Sequence, residues 1–137
     1  MEYQTLNILM HTTHIAVILT NCLFWAFKGW PRKLFLASFS LTIISWLGFG
    51  IYYGLGYCFL TDIHWQILRE SGDTNLPPSY IHFILERWFE IYISRSKVDL
   101  MVGLVFGFLA LIYIGFVAQA VKAKAICHQD KDSSTNS

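Results

Sequence analysis

Long apolar runs alternate with short charged segments along this chain of 137 residues. Residues 5–27, 34–59 and 100–121 contain no Asp, Glu, Lys or Arg. At about 1.5 Å per residue, a helix over each run can cross a hydrocarbon core of roughly 30 Å. The pattern therefore predicts an all-α membrane protein with three transmembrane helices.

A polar insert, residues 60–98, separates the second run from the third. Thr61 is a residue type that caps helices, and Asp62 follows it where the helix dipole favours an acid. These signals predict a short helix from Asp62 to about Glu70, which the following Gly and Pro pair end. A second helix is expected to begin near Ser79. The insert thus adds one or two short helices between the second and third spans.

The second insert helix has an amphipathic pattern. Its charged residues exclude a span, because each costs about 2.5–3.5 kcal/mol at the centre of a membrane helix. We expect it to lie in the membrane interface. The apolar face comprises Ile81, Ile84, Leu85, Trp88 and Tyr92, and the polar face His82, Glu86 and Glu90. An interfacial aromatic belt is expected from Tyr57, Trp65, Tyr80, Trp88 and Tyr92.

The composition agrees with lipid as the solvent. Hydrophobic residues make up 55% of the chain and charged residues 14%, whereas soluble domains carry about 25% charged residues. A net charge of +1 and a pI of 7.8 argue against a nucleic-acid-binding module, for which a pI above about 9 is typical. We expect one transmembrane domain over residues 1–127 and a disordered polar tail over 128–137.

Basic residues predict the orientation in the membrane. Lys28, Arg32 and Lys33 follow the first span without a neighbouring acid, and Lys122 and Lys124 follow the third. The positive-inside rule places both segments in the cytoplasm. With three spans, the N-terminus and the insert then lie outside, and the C-terminus lies inside.

Polar residues form a stripe on the first predicted helix. Steps of three and four keep them on one face, with a drift of about 20° per heptad. Polar side chains are costly in lipid and usually face the bundle interior. Such a stripe can simply join helices by hydrogen bonds. Its members are Gln4, Asn7, His11, His14, Asn21 and Trp25.

The histidines of this stripe allow a second interpretation. His11 and His14 are spaced i, i+3, and imidazole is a common ligand of haem iron and of metal ions. The predicted topology puts further candidate ligands on the same side of the membrane. The sequence therefore leaves open a haem or metal site, or proton or quinone handling. The candidate cofactor-binding residues are His11, His14 and His82, and the candidate metal ligands are His11, His14, Cys58 and His64.

Small residues suggest close helix packing. Gly50 and Gly54 in the second span, and Gly103 and Gly107 in the third, each form a small-xxx-small pair. With Asn7 and Asn21 they are the candidate helix-packing residues. The sequence contains no glycine-rich phosphate loop, nucleophile elbow or HExxH motif. These features favour a non-enzymatic accessory or structural subunit that packs with itself or a partner. A haem- or metal-binding redox protein is the alternative, and a transporter-like element is a weaker one.

The segment 57–65, YCFLTDIHW, resembles part of a bacterial family of small multi-pass membrane proteins of unknown function. Members carry a Cys-Pro-Leu-Thr segment at the end of a span and a histidine early in the first span. Cys58, Leu60 and Thr61 match that segment, with Phe59 in place of proline, and His11 or His14 is the early histidine. The resemblance implies a bacterial inner-membrane protein and implies no activity.

Overall fold

The computed structural model describes residues 2–54 and 56–135, with backbone alone at Glu2 and from 127 onward. The described part is helical and contains no strand. Three stretches are long and apolar enough to cross a membrane, namely Tyr3–Ala26, Trp30–Tyr53 and Arg95–Ile126. This confirms the predicted all-α class. The helices are α1 (Glu2–Leu23), α2 (Trp30–Ile43), α3 (Gly50–Tyr53), α4 (Phe59–Glu70), α5 (Tyr80–Trp88) and α6 (Arg95–Thr135).

The second span ends earlier than the run of apolar residues predicts. A π-helical segment, Ile44–Phe49, joins α2 to α3, and α3 stops at Tyr53. Gly54 and Gly56 then take φ values of 105° and 85°, a left-handed conformation that turns the chain and that glycine adopts without steric cost. The expected end at Phe59 was therefore six residues too late, because the pattern of apolar residues does not register the turn.

Ser45 holds this turn against the span. Its hydroxyl donates to the carbonyl of Tyr57 at 3.1 Å and accepts from the backbone N–H of Phe59 at 3.0 Å. Helix α4 begins directly afterwards, with Cys58 at the N-cap position instead of Thr61. Thr61 lies inside the first turn of α4, where its side chain is buried and faces α1.

An aromatic core joins the start of α2 to the end of the third span. Phe35 and Phe39 are almost completely buried against Leu109 of α6. The guanidinium of Arg32 lies 4.4 Å from the centre of the Phe116 ring, a cation–π contact. The beginning of α2 and the later part of α6 therefore lie at the same end of the bundle.

A second core lies at the opposite end, where α4 and α5 form a cap over the N-terminal half of α1. Trp65 and Leu68 of α4 pack with Tyr80 and Phe83 of α5, and Ile18 of α1 packs against them. The expected aromatic belt was thus wrong for Trp65 and Tyr80, which are 7% and 4% exposed. Both rings are held inside the cap by tertiary contacts, including a hydrogen bond from Trp65 Nε1 to the carbonyl of Pro77 at 2.8 Å.

Helix α5 is shorter than its apolar pattern predicts. Ser79 caps it by accepting from the backbone N–H of His82 at 3.2 Å, as expected for a start near Ser79. The helix ends at Trp88, and Glu90 adopts a φ of 54°. The predicted helical face therefore does not continue to Tyr92.

Helix α6 is longer than the predicted third span. Its backbone remains helical to Thr135, into the segment 128–137 for which a disordered tail was expected. The residues after Val121 include several Ala and Lys, which are good helix formers. Asn136 and Ser137 lie outside the described residues.

The aromatic core should contribute measurably to stability. We expect Phe39→Ala to lower the free energy of unfolding in mixed detergent micelles by about 1–3 kcal/mol. This is below the roughly 3–5 kcal/mol typical of a water-soluble core, because lipid also solvates apolar groups and the lost term is packing. Leu41→Ala is the matched control, since Leu41 is 69% exposed on the same helix. Equal losses in the two variants would contradict the assignment of this core.

Candidate functional site

Four aromatic side chains meet where α1, α4 and α5 come together, and we call His11, His14, His64 and Tyr80 the histidine cluster. The centres of the His11 and His64 rings are 4.6 Å apart with the planes perpendicular. His14 stacks on Tyr80 with a centre separation of 3.9 Å and lies 5.8 Å from His64. Three imidazoles from two elements thus share one site, two of them one helical turn apart on α1.

Hydrogen bonds tie the α1 histidines to the cap. His11 Nδ1 lies 2.8 Å from the Tyr80 hydroxyl, and His14 Nε2 lies 3.3 Å from the Thr61 hydroxyl. His14 Nδ1 is 3.2 Å from the carbonyl of Met10 on its own helix. A carbonyl can only accept, so His14 Nδ1 carries the proton and the Thr61 hydroxyl donates to Nε2.

His64 is the most enclosed member of the cluster and is fully buried. Its Nε2 lies 2.7 Å from Oδ1 of Asn7. The amide oxygen only accepts, so Nε2 carries the proton and Nδ1 presents a lone pair. Within the described structure this buried Nδ1 has no hydrogen-bond partner, which is unusual for a buried polar atom.

The cluster is built for uncharged imidazoles. Burial, followed by proximity to His11 and His14, lowers the pKa of His64 to about 4. Burial also raises the pKa of Tyr80 to about 12, so its hydroxyl keeps its proton, which it donates to the backbone carbonyl of His11 at 3.3 Å. In the described residues no Asp or Glu hydrogen-bonds to these imidazoles, so a protonated histidine would lack a counter-ion here.

His82 and Cys58 lie apart from the cluster. His82 is buried on α5, and its Nε2 is 3.0 Å from Oε1 of Glu86. Neither ring nitrogen of His82 has a hydrogen-bond partner among the described residues. Cys58 has a free, half-buried thiol in a small pocket of about 130 Å³ that Thr61 also lines.

This pocket lies next to the histidine cluster, on the surface of the cap. Asp62 is one of its walls and accepts from Gln66 Nε2 at 3.1 Å. Burial, followed by a hydrogen bond to Asp62, raises the pKa of Tyr57, another lining residue. Thr61 connects the two places, because it lines the pocket and bonds to His14.

The geometry of the cluster limits the set of ligands that it could offer to a metal ion. Among the described residues, no group of three or more His, Cys, Asp or Glu has an arrangement that could hold one. The three imidazoles are close, but several of their nitrogens point to Tyr80, Thr61 and Asn7 rather than to a common centre. Among the three imidazoles, His64 Nδ1 is a buried nitrogen without a hydrogen-bond partner in the described structure.

The candidate helix-packing residues divide into those that contact another helix and those that do not. Asn21 Nδ2 donates to the Thr42 hydroxyl of α2 at 3.0 Å, and Gly50 is buried. Gly54 instead ends α3. A Cβ built on Gly103 or on Gly107 would meet nothing within 4 Å.

Comparison with known families places the chain. The model of the family DUF2784, described as a protein of unknown function, matches residues 3–125. The chain belongs to DUF2784. No curated protein and no solved structure matches it.

The family match covers all three spans and the cap of this DUF2784 protein, so the histidine cluster lies inside the shared region. The expectation of a family of unknown function is confirmed, and the Cys-Pro-Leu-Thr pattern stays a prediction. Two cluster contacts were missed from the sequence, since Tyr80 was assigned to the belt and Thr61 to a helix cap. The spacing of Tyr80, Phe83 and Ile84 was a usable signal, because i, i+3, i+4 marks a buried helical face.

We expect acid to weaken the contact between the cap and α1 in this DUF2784 protein. His64 titrates near 6.5 when exposed and at about 4 when buried. The open state therefore binds the proton more readily, and the cap retains its full stability only above pH 6.5. Between pH 6.5 and about 4, opening should become easier by at most about 1.4 kcal/mol per pH unit for one proton.

Hydrogen exchange at several pH values tests this expectation in detergent micelles, after correction for intrinsic exchange. Protection over 59–88 should fall with pH, while protection in α2, packed through Phe35 and Phe39, should not. In His64→Gln, an amide replaces the titrating group and the pH dependence should flatten. A pH response that is unchanged in His64→Gln would show that another group is responsible.

Proposed function

We propose that this protein is a small accessory or structural subunit of a membrane, which packs in the bilayer against a second copy or another membrane protein. The observation that carries the proposal is the exposed apolar surface of α6. This helix packs through a stripe around Leu109, while Leu104 and Leu111 are 66% and 71% exposed. Lipid can cover such residues, but the glycines beside them provide room for a helix.

The glycine face of α6 supports close contact with another helix. Gly103 and Gly107 lie one turn apart, and each has open space where a Cβ would be. In lipid the hydrophobic effect does not drive helices together, so close backbone approach and van der Waals packing become decisive. A surface that permits such approach is therefore the place where association would be most favourable.

A groove between α1 and α2 offers a complementary surface. Small and hydroxyl-bearing residues dominate it. The hydroxyls of Thr12 and Thr13 donate to the carbonyls of Ile8 and Leu9 at 2.8 Å each, so they are already satisfied. The groove thus presents a largely apolar, shallow surface that a helix face with small side chains could occupy. Its lining residues are Thr12, Thr13, Ala16, Val17, Thr20, Leu34, Ala37, Ser38 and Leu41.

We further propose a location in a bacterial inner membrane, with the N-terminus and the cap outside and the C-terminus in the cytoplasm. The contact between Arg32 and Phe116 supports a common side for the two basic segments. Lys122 and Lys124 follow Phe116 on the same helix, and the positive-inside rule assigns that end to the cytoplasm. In this proposal the histidine cluster acts as the polar core that positions the cap, and no catalytic role is assigned to it.

Association should depend on the glycine face. We expect Gly107→Leu to shift the protein from oligomers toward monomers, measured by cysteine-free chemical crosslinking and by mass photometry in detergent. Gly115→Leu is the matched control, because Gly115 is also open but lies about 80° further around the helix.

The two variants distinguish association from a general packing defect. Equal loss of oligomers in both would indicate that added bulk anywhere on α6 disrupts assembly. If the parent protein is monomeric, the partner is a different membrane protein. Capture of that partner from membranes should then be lost in Gly107→Leu and kept in Gly115→Leu. Association that persists in Gly107→Leu would contradict the proposed face.

Binding of a haem or metal ion is the second candidate function, and one observation favours it. His64 Nδ1 is buried and unpartnered in the described structure, while Asn7 holds the opposite nitrogen. Histidines that bind metals are commonly oriented in this way through their second nitrogen. Tyr80 bonds to one nitrogen of His11 in a similar manner, so His64 and His11 are the residues that would hold the group.

A visible spectrum, oxidised and reduced, with metal analysis of the purified protein tests this candidate. If the cluster binds a metal or haem, we expect a stoichiometric content and an affinity that falls at least about tenfold in His64→Ala, since losing only the hydrogen-bond partner of a ligand already costs about 10–100-fold. His82→Ala is the control, because His82 lies outside the cluster. A metal-free, featureless sample that takes up no added Zn²⁺ or haem would leave the cluster as packing alone.

A further inference from the structure

We propose that the segment 88–92, Trp-Phe-Glu-Ile-Tyr, inserts its apolar side chains into the lipid interface on the cap side of the bilayer. This segment begins at the last residue of α5 and precedes the third span. The inference concerns how the cap is held, and it goes beyond the proposed role as a subunit. We call residues 88–92 the interfacial segment.

The interfacial segment exposes an unusual concentration of large apolar side chains. Trp88, Phe89 and Tyr92 are 53%, 62% and 81% exposed, and Ile91 is also exposed. Contiguous apolar surface of this kind marks contact with a protein or a membrane. Three of the four are aromatic, and Trp and Tyr are enriched at the level of lipid headgroups.

The chain itself fixes this segment close to the membrane surface. Helix α6 begins at Arg95, three residues after Tyr92. The uncharged run begins at Leu100, so Arg95 lies only about 7.5 Å above it. The polar region between hydrocarbon and water is about 5–8 Å thick on each side. The interfacial segment is therefore attached at headgroup level, directly before the start of the third span.

The backbone holds the segment in a defined shape. The N–H of Ile91 donates to the carbonyl of Leu85 at 2.8 Å, which closes the end of α5. Glu90 takes a φ of 54°, a conformation that is uncommon for a residue other than glycine. The turn leaves Phe89 and Tyr92 exposed instead of continuing the helix.

Trp88 connects the segment to the histidine cluster. Its ring centre lies 5.2 Å from that of His11, while about half of the side chain stays exposed. On the other side of α5, Arg87 pairs with Asp73 at 2.9 Å, so the end of the helix is held from two directions. These contacts favour a fixed membrane anchor over a loose loop.

Depth-dependent quenching of the full chain in phosphatidylcholine–phosphatidylglycerol vesicles tests the proposal. A bimane label is placed at Phe89→Cys after Cys22, Cys58 and Cys127 are changed to serine. We expect lipids brominated near the ester end of the acyl chain to quench this label by about twofold, and aqueous iodide to quench it little. Glu70→Cys is the matched control, because Glu70 is exposed at the end of α4 and should show the opposite response.

Two outcomes would overturn the proposal. A label at 89 that iodide quenches as strongly as the label at 70 would place the segment in water. Bromolipid quenching that disappears as the protein-to-lipid ratio rises would show that a second copy covers it.

Adding Glu90→Gly should leave the quenching unchanged, since glycine keeps the φ of this turn. Loss of bromolipid quenching in Glu90→Gly would also count against the proposed shape.

Discussion

The contact between the polar stripe of α1 and its partners is the constraint on which the rest of the structure depends. A membrane helix that carries Asn7, His14 and Asn21 must satisfy these groups within the protein, because lipid offers them no hydrogen bonds. The cap supplies the partners for the N-terminal half, through His64 and Thr61. Helix α2 supplies a partner for the amide nitrogen of Asn21, whose buried Oδ1 has none among the described residues. The stripe therefore decides which face of α1 is turned inward and where the cap is placed.

The two ends of the bundle are held by different forces. Phe35 and Phe39 stack at one end, where lipid competes for the same apolar surfaces and the gain comes from packing. At the other end, polar contacts to α1 combine with the burial of Trp65 and Phe83 inside the cap. The packing at the polar end therefore depends on hydrogen-bond geometry and is sensitive to charge, whereas the packing at the aromatic end is insensitive to pH.

The sequence was informative wherever a membrane imposes a simple rule. Uncharged runs identified the three spans. The cost of polar groups in lipid predicted an inward stripe, and Asn7, His14 and Asn21 do contact other helices. Gln4, its first member, is exposed. Prediction from the sequence failed where backbone conformation or a tertiary contact determines the structure. Gly54 was interpreted as a packing residue, whereas its φ of 105° ends the helix. Tyr80 was assigned to the interface because tyrosine favours it, but its hydroxyl bonds to His11 and draws the ring inside. No local pattern encodes a contact between residues 69 positions apart.

The position of Trp88 brings these parts together. One side of the indole contacts His11 and the other is open to the surroundings of the cap. Trp88 therefore belongs both to the packing around the histidine cluster and to the interfacial segment. The glycine face of α6 lies on another helix, so association in the bilayer and events at the cap can vary independently.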